Sequence, residues 1–206
     1  MTSRARRRLA RRTTANAVAV APFTITIDTR EQLPWDFAAI PADRRELGGA
    51  GQGGSVPVPP DSPSGQPSGA GFLVVPVVVS CLPAGDYSIQ GYGGRIAIER
   101  KSKSDLFSSI GQGRDRFERE LARLNEMDFA AVVVECELSE ILTDPPRHSE
   151  LSPKTITRSV IAWQHRLPRV HWNFLPGRPA AQVWAYRTLE RFWRDVIEPE
   201  LKESEK

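Results

Sequence analysis

The chain has 206 residues, 26% of them charged and 40% hydrophobic, with a formal net charge of +3. That composition suits one globular domain with tails. The longest apolar run, Phe72 to Val79, is broken by Pro76 and falls far short of the roughly 18 residues that span a bilayer, so no membrane contact is expected. The basicity is local: Arg4, Arg6, Arg7, Arg8, Arg11 and Arg12 precede the first acid, the residues after them carry −3, and 13–194 alone are balanced. Net charge by itself therefore argues for no partner.

Residues 1–20 read as a disordered Arg-rich tail. Their basic start is followed by no apolar stretch of secretory type; a transit peptide is the lesser alternative. Phe23 to Ile27 alternates apolar and β-branched polar residues, which predicts a strand ending at Asp28. Residues 47–71 hold 13 Gly or Pro in 25 positions and few large apolar side chains, so they read as a disordered insertion. They are too Pro-rich and irregular for a phosphate-binding loop, and no nucleotide cofactor is expected.

Phe72 to Leu82 reads as a buried strand pair or one bent strand. A turn at Pro83-Ala-Gly85 leads into a short strand, Tyr87 to Gln90, then a Gly91–Gly94 turn and a strand from Arg95 to Lys101. Ser102 or Ser104 caps a helix to about Ile110. A second helix, Arg114 to Asn125, carries Phe117, Leu121 and Leu124 on one stripe, and Phe129 to Val134 is a buried strand. Ser152 and Pro153 open a helix, Val170 to Phe174 is a strand, and Arg178 to Ile197 is a final helix with Ala185, Leu189, Phe192 and Val196 inward. An acidic tail covers 199–206. Mixed strands and helices in this order predict an α/β fold, one domain over 21–198. Cys81 and Cys136 read as buried reduced thiols of a cytoplasmic protein, and the three His form no zinc pattern.

The chemistry concentrates in Ile96-Ala-Ile-Glu-Arg-Lys101. Alternation along a strand puts Ala97, Glu99 and Lys101 on one face and Ile96, Ile98 and Arg100 on the other. A carboxylate and an ammonium sharing one face at a strand end is the pair a metal-dependent nuclease needs: one fixes a cation, the other positions water and offsets phosphate charge. Taken alone, Glu-x-Lys is more often a solvated salt bridge. The hairpin through Gly91–Gly94 brings Asp86 near Glu99, and two hard oxygen ligands suit Mg²⁺, with Mn²⁺ as substitute. Asp28 is a third acid, at the end of the first strand. Parity turns Arg100 away from this face, toward a neighbouring carboxylate or a flanking phosphate.

The blocks Ile27-Asp-Thr-Arg-Glu-Gln32, Leu82-Pro-Ala-Gly-Asp-Tyr87 and Glu99-Arg-Lys-Ser-Lys-Ser-Asp105, followed by the helix Gly113 to Leu121, resemble the nuclease domain of the XPF family. These are structure-selective DNA endonucleases with a Gly-Asp…Glu-Arg-Lys-x₃-Asp signature. The resemblance implies a restriction-endonuclease-like fold, a central mixed sheet flanked by helices, and Mg²⁺-dependent cleavage of branched DNA in repair, recombination or phage DNA processing. It implies Asp28, Asp86, Glu99 and Lys101 as catalytic residues, with Asp86, Glu99 and Asp28 on the metal. Glu31, Arg100 and Asp105 support them, Asp105 by pairing with Arg100 or Arg30. Arg30, Arg114 and Arg116 are the candidates for DNA phosphates.

The tandem helix-hairpin-helix repeats and helicase module of many relatives have no counterpart here, so the preferred DNA structure is not implied. Relatives dimerise through this domain; a homodimer is therefore considered, although Trp163, Trp184 and Trp193 read first as core. The alternative function is a nuclease-fold DNA-binding module that has lost catalysis.

Overall fold

The computed structural model describes residues 18–38, 40–43, 46, 71–147 and 149–206. The expected tail and insertion therefore lie largely outside the described residues. Of the stretch read as a tail, the described Val18–Val20 form a strand, β1.

The described residues fall into two compact units. The smaller draws on the residues up to Pro22 and on Phe37–Pro76. In it β1 pairs in parallel with β3, Phe72–Val74. Leu73 N–H donates to Ile40 O at 3.0 Å, and Ala21 N–H to Val74 O at 2.9 Å.

The larger unit, Phe23–Asp36 with Val77–Lys206, is built on a six-stranded mixed sheet. Its strands are β2 (Ile25–Asp28), β4 (Val77–Ser80), β5 (Tyr87–Ile89), β6 (Ile96–Lys101), β7 (Phe129–Val134) and β8 (Val170–Phe174), in the spatial order β4-β2-β5-β6-β7-β8. β5 runs antiparallel to both β2 and β6, while β6, β7 and β8 are mutually parallel. The helices are α1 (Lys103–Ile110), α2 (Arg114–Leu124), α3 (Leu138–Thr143), α4 (Pro153–Arg166), α5 (Gly177–Phe192) and α6 (Glu198–Ser204). Parallel neighbours need crossover connections, which α1 and α2 supply before β7, and α3 and α4 before β8. Ala97, Val132 and Val134 face a core closed by Leu106 of α1, Leu121 of α2 and Trp163 of α4. α5 packs against β6 and β7, and its Tyr186 stacks on Phe23 with ring centroids 5.7 Å apart.

Ser102 caps α1 by accepting from Asp105 N–H, and Ser152 caps α4 through Thr155 N–H. The 72–82 segment is not one buried element. It splits between two sheets, and β4 is an edge strand with Val77 48% and Val79 64% exposed. Cys81, just past this edge, is exposed rather than buried, whereas Cys136 is buried. α3 was not expected; a Glu137/Glu140 capping box starts it.

The last helix also departs from its even period. Trp193–Ile197 form a π-helical turn before α6, so Ile197 replaces Val196 in the core. Pro199 has no N–H to donate back into the preceding turn, and the added residue shifts the inward face by one. The expected acidic tail is thereby helical through Ser204. Trp163 is 1% exposed and stacks on Trp172 at 5.8 Å, a core residue. No helix among the described residues is long and apolar enough to cross a membrane.

Candidate active site

The middle of the sheet positions the site. On β6, Glu99 lies opposite Val132 and Lys101 opposite Val134, so the strand is locked to β7 to its last residue. Lys101 Nζ donates to Glu99 Oε1 at 2.5 Å, and the ammonium stands 5.0 Å from the centre of the Phe117 ring. Both side chains are largely buried, Lys101 at 15% and Glu99 at 8% exposure.

Asp86 enters from the turn before β5. Its N–H donates to Ile98 O, and its carbonyl accepts from Asp28 N–H, each at 2.8 Å. Its Oδ2 accepts the backbone N–H of Arg100 at 2.7 Å. The structure thus assembles Asp86, Glu99 and Lys101 around the end of β6. Burial, and next the charge of Glu99, push the Asp86 carboxyl up to about 8 against the pull of Arg100 N–H and Lys101. Burial also pushes Glu99 up, opposed by Lys101. Burial works against the Lys101 charge, but Glu99 and Asp86 more than offset it, so its pKa lies above the ordinary lysine value.

Asp28 is not gathered with these two acids into a common ligand set. Its Oδ1 accepts from Arg30 N–H at 2.8 Å and Nε at 2.6 Å; its Oδ2 accepts from Leu82 N–H at 2.7 Å and Arg30 Nη2 at 3.0 Å. Burial raises its pKa, but the Arg30 and Leu82 hydrogen bonds outweigh that and leave it below the ordinary value. Among the described residues no three His, Cys, Asp or Glu side chains group closely enough to hold a metal ion.

Arg100 turns to the opposite face. Its Nε and Nη2 form a fork on Glu135, at 2.9 and 2.8 Å, and Nη1 reaches Glu31 at 3.4 Å. Glu31 in turn accepts Leu33 N–H at 2.6 Å. Glu135 also accepts from the Trp35 indole at 2.7 Å and from Arg178 Nη1 at 3.4 Å. Asp105 is engaged by Ser102 as a helix cap, with Ser102 Oγ donating at 2.7 Å, in place of the expected pairing with Arg100 or Arg30. Arg114 bonds Ser159 at 2.9 Å and Glu118 at 3.2 Å and lies over the Trp163 ring. Arg30 and Arg116 are exposed.

Glu135 and Glu120 were missed by sequence reasoning. Glu135 directly follows β7 and so falls beside the β6 end, a position visible only once β6 and β7 are paired. Glu120 lies on the same helix as Arg114 and Arg116; it pairs with Arg123, and it also accepts Gly85 N–H at 2.9 Å.

A divalent cation fits this donor set. Asp86 and Glu99 are hard oxygen donors whose like charges disfavour each other, and a cation between them relieves that conflict. Mg²⁺ in particular uses one or two carboxylates and keeps several waters.

A model of the ERCC4 domain family matches residues 70–178. Among solved structures, an XPF from Aeropyrum pernix is similar, with a TM-score of 0.51 and 18% identity over 87% of this chain and 69% of that one. The structure of XPF from Aeropyrum pernix in complex with DNA is also similar, with a TM-score of 0.48 and 19% identity over 82% of this chain and 64% of that one. No curated protein matches the sequence. The family match spans more than half of the chain and includes Asp86, Glu99 and Lys101: the chain belongs to the ERCC4 domain family and has its restriction-endonuclease-like fold.

Proposed function

We propose that the chain is a divalent-metal-dependent DNA endonuclease that hydrolyses phosphodiester bonds in branched DNA. The observation that supports this reading best is the part-buried Asp86–Glu99–Lys101 constellation, in which two carboxylates and one ammonium converge at the end of β6.

Asp86 and Glu99 would hold Mg²⁺ or Mn²⁺. When bound, the cation supplies charge stabilisation at the scissile phosphate. Lys101 is the residue for the attacking water: its ammonium, held beside Glu99, keeps further donors that would hold that water and offset charge developing on the phosphate. The Phe117 ring behind it keeps the ammonium directed to the site. Arg100 is a bolt rather than a catalytic group, because its fork is spent on Glu135. Asp28 likewise serves as a clasp between the end of β2 and Leu82. Arg116, exposed, is the residue offered to DNA phosphates, while Arg30 is turned onto Asp28 and the Leu82 carbonyl and Arg114 is drawn into the fold by Ser159 and Glu118.

The test is incubation of the purified chain with flap, fork, nicked, junction and linear DNA, with Mg²⁺ or with EDTA, alongside Asp86→Asn. Cleavage of branched substrates that needs Mg²⁺ and Asp86 supports the reading. Cleavage that persists in EDTA or in the variant overturns it, and metal-independent binding without any cutting favours a scaffold role.

A further inference from the structure

The turn that carries Asp86 is fixed from two directions. From β6 it is held by the Asp86 N–H bond to Ile98 O and by close packing: Gly85, at φ +76°, sits where a Cβ would meet Ala97 Cβ at 2.9 Å and Ile98 O at 3.3 Å. From α2 it is held by the 2.9 Å bond from Gly85 N–H to Glu120 Oε1, spanning 35 residues. Gly85 is buried, and a buried backbone N–H requires an acceptor.

Helical geometry explains why Glu120 arrives there. It follows Phe117 by three residues and precedes Leu124 by four, so it lies on the face of the stripe that buries Phe117, Leu121 and Leu124. Packing of that stripe carries the carboxylate to the turn. Its side chain is 17% exposed, and its other oxygen takes Arg123.

We infer that Glu120 is a positioning residue: by accepting Gly85 N–H it sets where the Asp86 carboxylate meets Glu99. The inference rests on the metal-binding reading of Asp86 and Glu99 above. Glu120 does not join Asp86 and Glu99 in a metal-holding group among the described residues; its oxygens take Gly85 N–H and Arg123. Its role is that of a group one step behind a ligand, and losing such a group typically weakens metal affinity about 10- to 100-fold.

The experiment titrates Mn²⁺ into the full chain, reading free Mn²⁺ by electron paramagnetic resonance and Gly85 amide exchange by NMR without metal. Glu120→Ala removes the acceptor, and Glu120→Asp keeps the charge but withdraws the oxygen. Glu120→Gln keeps an acceptor of the same length, and Arg123→Ala removes only the ion pair. Glu120→Ala and Glu120→Asp are expected to weaken Mn²⁺ binding by about 10-fold or more and to speed Gly85 exchange. Glu120→Gln and Arg123→Ala are expected to leave Gly85 exchange slow and Mn²⁺ affinity near wild type. Fast Gly85 exchange in the wild type overturns the inference, as does wild-type behaviour of Glu120→Asp in both measurements. Asp86→Asn binding Mn²⁺ as well as wild type would mark failure of the ligand reading, and Gly85 exchange would still decide the part played by Glu120.

Discussion

The backbone N–H of Arg100 donates to Asp86 Oδ2 at 2.7 Å, so the carboxylate leans on the residue between Glu99 and Lys101. One residue thus serves both faces of the sheet. Its main chain holds Asp86, while its side chain anchors in Glu135 and Glu31 on the far side. Alternation along β6 makes this division of labour possible, because Glu99 and Lys101 are then free to share the opposite face.

Asp86→Asn should separate function from stability. The amide oxygen can still accept Arg100 N–H, while the cost of folding a carboxyl whose pKa burial and Glu99 push up to about 8 is removed. The expected outcome is loss of metal-dependent cutting together with a metal-free melting temperature higher by about 2–4 °C, the equivalent of about 1 kcal/mol at this size. Calorimetry without metal, paired with a cleavage assay, checks both halves.

Removing Glu135 should be severe. Arg100 and Glu135 are 8% and 10% exposed, and Glu135→Ala removes both bonds of the fork, leaving the buried guanidinium to the longer 3.4 Å contact with Glu31. A loss of about 3–5 kcal/mol is expected, read as a lower urea midpoint. The substitution also carries a pH signature. Burial raises the Glu135 pKa, but Arg100 and Trp35 outweigh it and hold the group below its ordinary 4.5. Its stabilising effect is therefore full above 4.5 and fades as pH falls through the lower folded-state value. Glu135→Gln should flatten stability over that acid range relative to wild type.

Gly85→Ala tests the turn from the β6 side. At φ +76° a Cβ is strained, and the 2.9 Å approach to Ala97 Cβ adds a clash. The expected loss is about 1–3 kcal/mol, with cutting reduced further because Asp86 is displaced. Retention of full stability and full activity would contradict the described turn.

The six arginines of residues 1–12 should contribute attraction and not chemistry. Deleting that segment is expected to weaken DNA binding and to reduce the slope of log affinity against log salt by up to about 5. The single-turnover rate at saturating DNA should not change.

Local pattern made much of this legible. Strand parity sorted Glu99 and Lys101 from Arg100, Ser102 and Ser152 marked helix starts, and the Phe117 stripe marked α2. What stayed hidden depends on distant pairing. Val77 and Val79 look like core in sequence, yet β4 lies at the sheet edge, and nothing local tells an edge valine from a central one. Pro199 could have warned of the π turn that swaps Val196 for Ile197, but even spacing suggested an unbroken helix. Glu135 and Glu120 gain their meaning from partners 35 residues away in each case, Arg100 and Gly85. Asp28 looked like a third ligand because it is acidic and ends a strand; the Arg30 side chain that closes on it is two residues away, and its rotamer is set only by the folded site.

The central claim is that Lys101, held beside Glu99, acts in phosphodiester hydrolysis. The most direct test is the single-turnover rate of flap-DNA cleavage by wild type and Lys101→Ala, with DNA and Mg²⁺ saturating for each. Wild type should cut and the variant should be slower by about 100-fold or more, with DNA affinity little changed. Equal rates for the two proteins would contradict it.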